Sequence, residues 1–285
     1  MEIAKLGEFG LIDRLTKDIK PNNESTKYGV GDDCAVLHYP DSEVLVTTDM
    51  LMEGVHFDLT YIDLQHLGWK SAMVNISDIF AMNGTPRQMT VSLALSKRFS
   101  VEDIEQFYSG LRMACDKWGV DVIGGDTTSS YTGLAISITC IGEARKEDII
   151  YRNGAKETDL VCVSGDLGAA YMGLQLLERE KAVYYQMVEE AKKKSASSGS
   201  PASIPDFQPD FAGKEYLLQR QLKTEARGDI INKLREAGIR PTAMMDISDG
   251  LSTNSCTSAS RAKWVAASSK SRYPLTIRLL SWPRS

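Results

Sequence analysis

The chain has 285 residues, a length that suits about two domains. With 42% hydrophobic and 25% charged residues it has enough apolar surface to build a core, which excludes a chain disordered throughout. The net charge of −5, with no basic block, speaks against non-specific nucleic-acid binding.

Apolar runs are only a handful of residues long, as in Val44-Leu45-Val46, whereas a spanning helix needs about 20; no membrane partner is expected. Met1-Glu2-Ile3-Ala4-Lys5 lacks the pattern of a signal peptide. The five cysteines, at 34, 115, 140, 162 and 256, are odd in number and never in CxxC spacing. They predict neither a zinc site nor a disulfide framework, and a reduced, cytoplasmic setting.

In chain order, Glu43–Thr48 is short and rich in β-branched residues and predicts a strand. Gln65–Met82 predicts a helix that stops before the turn cluster Asn83-Gly84-Thr85-Pro86. Ser100 followed by Asp103 resembles a capping box. Val101, Ile104, Phe107, Tyr108, Leu111, Cys115 and Trp118 then recur at helical spacing. Val120–Ile123 predicts a strand ending at Gly124-Gly125, and Leu134, Ile136, Ile138 and Cys140 alternate with period two. Asn153-Gly154 predicts a turn, Asp159–Ser164 a strand, and Ala169–Glu180 a helix. Lys192–Gly213 holds five serines and three prolines and is expected to be a mobile insertion without a core. Helical pattern returns at Glu225–Ala237, and Met244–Ile247 predicts a strand end.

Residues 250–285 contain no Asp or Glu, against six Lys/Arg and nine Ser. This stretch therefore carries +6 and the preceding 249 residues −11. Only Leu275–Leu280 has a strand-like pattern. One reading is a basic tail. The preferred one is a one-base slip in the coding DNA near codon 252.

The chemical signal is an acidic residue set repeatedly at a strand end or glycine turn: Gly31-Asp32-Asp33-Cys34-Ala35, Thr47-Thr48-Asp49, Asn75-Ile76-Ser77-Asp78, Gly124-Gly125-Asp126-Thr127-Thr128 and Asp246-Ile247-Ser248-Asp249-Gly250. Any one of these also suits a cap or an Asx-turn. Converging carboxylates repel and call for a cation, and hard oxygen ligands without His or Cys favour Mg²⁺ or Ca²⁺. No EF-hand spacing occurs, so Mg²⁺ with a phosphate ligand is the better match. Neither G-x-x-x-x-G-K-[ST] nor a G-x-G-x-x-G opening a helix is present; a nucleotide is then held mainly through metal ions.

These motifs, with Gly54-x-His56-Phe57 and Gly84-x-Pro86, occur in the order seen in the thiamine-monophosphate kinases, and the chain resembles that family from about Gly7 to Leu251. The family belongs to the superfamily of aminoimidazole ribonucleotide synthetase and selenophosphate synthetase. The resemblance implies an α/β (α+β) fold of two domains with mixed sheets flanked by helices. Residues 1–150 would bind ATP and Mg²⁺ and form a homodimer. Residues 151–251 would begin the second domain, left incomplete by the atypical stretch 252–285.

The resemblance further implies that ATP phosphorylates thiamine monophosphate. Asp33, Asp49, Asp78, Asp126 and Asp246 would hold several Mg²⁺ ions, with Thr47, Thr48 and Asp249 as further ligands. Tyr108, Gly125, Arg152 and Ser248 would contact ATP, and His56 the substrate. On the residues alone, His56 reads as a packed core histidine, Tyr108 as core and Arg152 as solvated. The acceptor phosphate monoester is already largely dianionic at neutral pH, so no catalytic base is expected and transfer should be direct and in line. Two alternatives stand beside this reading: another ATP-using enzyme of the superfamily, or a catalytically dead nucleotide- and Mg²⁺-binding protein.

Overall fold

The computed structural model describes residues 26–28, 32, 35–39, 42–156, 158–198, 206–248, 250–251, 264–268 and 277–281. Its first part contains β1 (Thr26–Tyr28), β2 (Ala35–Tyr39), β3 (Ser42–Met52), α1 (Leu64–Ala81), β4 (Thr85–Leu95), α2 (Val101–Trp118), β5 (Asp121–Ser129) and β6 (Ala135–Ala144). The six strands form one mixed sheet in the order β1-β2-β3-β6-β4-β5. Only β4 and β5 are parallel, and α2 is the crossover that a parallel pair requires.

Period-two alternation builds the core. Leu45 and Leu51 of β3, Met89, Val91 and Leu93 of β4, and Ile136, Ile138 and Cys140 of β6 are all buried on one face. They meet Leu67, Met73, Ile76 and Ile79 of α1 and Phe107, Leu111 and Cys115 of α2. Asp63 caps α1 by accepting from the His66 N–H at 2.7 Å. The expected capping box opens α2: Ser100 N donates to Asp103 Oδ2 at 2.8 Å, and Asp103 N donates to Ser100 Oγ at 3.2 Å.

Two boundaries differ from expectation. The turn after α1 lies at Met82-Asn83, with Asn83 at φ 59°, and Thr85-Pro86 already begins β4. Strand β4 was not expected, although Met89, Val91 and Leu93 alternate; the turn signal at its start concealed it. In addition, β5 runs through Gly124-Gly125 to Ser129, because β4 continues alongside as a pairing partner.

The second part is helical among the described residues: α3 (Ala169–Ser198), α4 (Glu215–Leu222) and α5 (Gly228–Glu236). Lys192–Ser198, expected in a mobile insertion, extends α3; residues 199–205 lie outside the described residues. The strands expected at Asp159–Ser164 and Met244–Ile247 do not form. A lone strand is not stable without a sheet to join, and no strand between residues 145 and 251 is available among the described residues. Leu160, Leu167 and Tyr171 accordingly stay exposed.

Thr224–Ile231 instead docks on the first part. Trp69 Nε1 donates to the Thr224 carbonyl at 2.7 Å, and Ala226 and Ile231 join the core. Arg235 Nη2 donates to the Asn83 carbonyl at 2.6 Å and to the Gly84 carbonyl at 3.0 Å, which places a cation at the carbonyl end of α1. In the tail, β7 (Trp264–Ser268) and β8 (Ile277–Ser281) pair antiparallel in a two-stranded sheet. Its second strand overlaps the expected Leu275–Leu280; its first was not foreseen.

Candidate active site

Strand β3 and helix α1 supply the centre of the site. Alternation puts Thr47 and Asp49 on the same face as Leu45 and Leu51, toward α1. Thr47 Oγ1 donates to Asp78 Oδ2 at 2.6 Å, so strand and helix are joined at two of the expected ligand positions. One residue earlier on α1, Ser77 Oγ donates to Asp246 Oδ2 at 2.8 Å. That bond brings an acid from 169 positions later in the chain to the same end of the helix.

Asp49 completes the group. Burial pushes its carboxyl above the ordinary carboxylate range, the charge of Asp246 pushes it further up, and His56 draws it down. Three of the separate motifs therefore meet: Thr47-Thr48-Asp49, Ser77-Asp78 and Asp246. His56 is exposed, not a packed core residue. Its ring is fixed by the Met52 N–H, which donates to Nδ1 at 2.9 Å within the tight loop after β3.

Other expected ligands are set apart by the pleat. Cross-strand register aligns Asp49 with Ile138, Val91 and Gly125, and aligns Met50 with Ser137, Ser92 and Asp126. Asp126 thus falls in the row next to that of Asp49, on the opposite face and three strands away, about 14 Å across the sheet. Thr48 also lies on that opposite face, where Thr139 Oγ1 donates to Thr48 Oγ1 at 3.2 Å and Thr48 Oγ1 to the Ile138 carbonyl at 3.1 Å. Among the described residues no group of three or more His, Cys, Asp or Glu is close enough to hold a metal ion. Asp33 and Asp249 lie outside the described residues.

Of the expected ATP contacts, Gly125 permits a close approach of strands: a Cβ there would sit 1.8 Å from the Val91 carbonyl oxygen. Tyr108 is half-buried and packs against the core, and it also lines an apolar cleft of about 540 Å³ with Phe99, Ile104 and Val122. Ser248 is exposed. Arg152 is not a solvated residue. It is 8% exposed, and its Nε donates to Asp32 Oδ1 at 3.0 Å while its backbone N–H donates to Asp32 Oδ2 at 2.9 Å. Asp32 and Ser77 both lie inside the acidic motifs, but the sequence gives neither of them a role of its own. Their signal was tertiary, because each partner lies more than a hundred residues away.

The thiamine-monophosphate kinase of Aquifex aeolicus (strain VF5) is 36% identical over 251 residues, 88% of this chain and 69% of that relative. The chain belongs to the thiamine-monophosphate kinase family. It is accordingly an enzyme of the kinase class. The Bacillus subtilis (strain 168) thiamine-monophosphate kinase is 31% identical over 87% of this chain and 68% of its own length. Residues 31–144 match the family described as AIR synthase related protein, N-terminal domain. The solved structure "AaThiL complexed with AMPPCP and TMP" matches with a TM-score of 0.74 at 33% identity, covering 93% of this chain and 74% of that one. The fold is thus the expected aminoimidazole ribonucleotide synthetase type. No helix among the described residues is long and apolar enough to cross a membrane.

Proposed function

We propose that the chain transfers the γ-phosphoryl group of ATP to thiamine monophosphate by direct in-line attack, giving thiamine diphosphate and ADP, with Mg²⁺ bound at the acidic end of β3 and α1. The observation that carries this reading is the convergence of Asp49 and Asp246, from distant parts of the chain, on the end of α1 that holds Ser77 and Asp78, where burial first and the Asp246 charge second hold the Asp49 carboxyl up. Two hard carboxylates crowded in this way suit Mg²⁺, which takes one or two protein carboxylates and fills its shell with water and phosphate oxygens. Asp49 and Asp246 would supply the two carboxylates, with Asp78, Asp33, Asp126, Asp249, Thr47 and Thr48 as further candidates. When bound, Mg²⁺ neutralises the charge that builds on the transferring phosphoryl group.

The chain's own residues do the rest. Thr47 and Ser77 fix Asp78 and Asp246 through their hydroxyls. Tyr108, Gly125, Arg152 and Ser248 are assigned to ATP and His56 to the acceptor. No side chain needs to remove a proton, since a phosphate monoester is largely dianionic at neutral pH. Residues 1–150 form the nucleotide and dimer domain in this reading, and 151–251 begin the second domain. The homodimer is supported by the sheet face opposite α1, where Met50 is 61% exposed, and by β5, exposed along its whole length at the sheet edge. The buried free thiols of Cys115 and Cys140 suit a reducing cytoplasm.

The deciding experiment gives the 285-residue chain thiamine monophosphate, ATP and Mg²⁺ and measures thiamine diphosphate. Product supports the proposal. Turnover only on another acceptor would favour a different activity within the superfamily, and ATP·Mg²⁺ binding without turnover on any acceptor a dead binding protein.

A further inference from the structure

Helix α1 is mostly apolar, and Lys70 and Asp78 are its only Lys, Arg, Asp or Glu residues. Asp78 accepts the Thr47 hydroxyl. Among the described residues, Lys70 has neither an ion pair nor a hydrogen bond, and burial alone pulls its pKa down. Lys70 is half-buried, and even partly withdrawing an ammonium group from water without a counter-charge costs folding free energy, so the apolar packing of α1 gives no reason for a lysine here.

Lys70 lines a cleft of about 210 Å³ between the loop after β3, the start of α1, α3 and α4. Most other polar groups on its wall satisfy one another. Lys181 Nζ donates to Asp58 at 2.6 Å and pairs with Glu178 at 3.3 Å, while Tyr61 Oη donates to Glu178 at 2.9 Å. His56 is an exception with a free donor. Its Nδ1 accepts the Met52 N–H, so in the neutral ring the proton sits on Nε2, which is a donor. The wall carries two lysines and two carboxylates, but Asp58 and Glu178 both engage Lys181, so among the described residues the Lys70 ammonium and the His56 N–H are donors left for an incoming acceptor. It also adjoins the acidic site. His56 acts electrostatically on Asp49, and Lys70 lies on the same face of α1 as Ser77, two turns and about 10 Å away.

We propose that this cleft receives the phosphate group of the acceptor, with Lys70 and His56 as its protein contacts. The inference rests on the proposed function, and it assigns the anion-binding part of that site to a residue outside all the acidic motifs. A neutral or cationic end of the acceptor would leave Lys70 uncompensated, whereas a phosphate monoester supplies only acceptor oxygens and two negative charges.

The test measures calorimetric binding of thiamine monophosphate, thiamine and ATP·Mg²⁺ to the full chain and to its Lys70→Met and Lys70→Arg variants. Lys70→Met should weaken thiamine monophosphate binding by about tenfold to a hundredfold, the equivalent of one lost charge-assisted hydrogen bond. Thiamine and ATP·Mg²⁺ binding should change by less than about twofold under the same reasoning, and Lys70→Arg should recover most of the loss. Equal binding of thiamine monophosphate by Lys70→Met overturns the inference. So does an equal loss of thiamine binding, or a Lys70→Arg variant as weak as Lys70→Met. A wild-type chain that binds thiamine but shows no preference for its monophosphate, and does not phosphorylate it, overturns the functional reading itself and this inference with it.

Discussion

Replacing Asp49 by Asn should make the protein more stable and less active at once. The Asp49 carboxyl is raised first by burial and then by Asp246, and no described group donates a hydrogen bond to it. The folded state therefore holds this proton more tightly than the unfolded chain does. By linkage, stability falls as pH rises from the unfolded pKa through the raised folded one, and stays reduced above it. Two carboxylates roughly 5 Å apart repel by about 3 kcal/mol at an effective dielectric near 20. Partial exposure and counter-ions bring the usable figure to on the order of 1 kcal/mol. Asp49→Asn should then raise Tm at pH 7 by about 2–4 °C in the absence of Mg²⁺ and flatten the stability profile across the mildly acidic range. Turnover should drop by at least about a hundredfold, as for loss of a group that organises transition-state charge. The Tm gain that Mg²⁺ confers on the wild type should shrink. Thermal denaturation from pH 4 to 8, with and without Mg²⁺, and a thiamine diphosphate assay provide the readouts. A variant with a lower Tm than the wild type without Mg²⁺ would refute the reasoning, because Asp49 would then be a structural residue.

Three further outcomes follow from the geometry. Ser77→Ala removes the hydroxyl that holds Asp246; it should cost about 1 kcal/mol in urea unfolding and lower kcat more than it raises the KM for ATP, and an unchanged kcat would remove Ser77 from the site. Gly125→Ala places a Cβ 1.8 Å from the Val91 carbonyl and should destabilise by about 2 kcal/mol or more as the strands separate, with amide exchange quickening along β5 before the rest of the sheet. Arg152→Ala takes the guanidinium from Asp32, whose side chain has no exposed surface; a loss of about 3 kcal/mol is expected. A Tm within a degree of wild type would mean that this pair contributes nothing to the fold.

The first part of the fold was largely legible because it is written in local chemistry. Leu134, Ile136, Ile138 and Cys140 alternate and become buried rungs of β6, and Ser100 with Asp103 forms the capping box that their spacing implies. Where local signals competed, one of them misled. The Thr85-Pro86 pair reads as a turn, yet tertiary pairing with β6 makes it the start of β4. In the second part, Asp159–Ser164 and Met244–Ile247 have strand-like residues but no partner strand among the described residues, and pairing, not propensity, decides whether a strand forms.

For the site, the sequence by itself pointed to a type of chemistry: repeated carboxylates at turns, few histidines and no phosphate loop are the grounds on which hard-cation phosphoryl chemistry is proposed. Which acids meet was decided by the tertiary structure. Thr47 and Asp49 share a face with α1, whereas Thr48 and Asp126 lie on the other, because side chains alternate along a strand and one residue's offset is a change of face. Ser77 meets Asp246, Arg152 meets Asp32, and Lys70 has no ion pair among the described residues. Those facts depend on contacts between distant parts of the chain, and a pattern read over a few neighbouring residues carries no information about which distant group completes them.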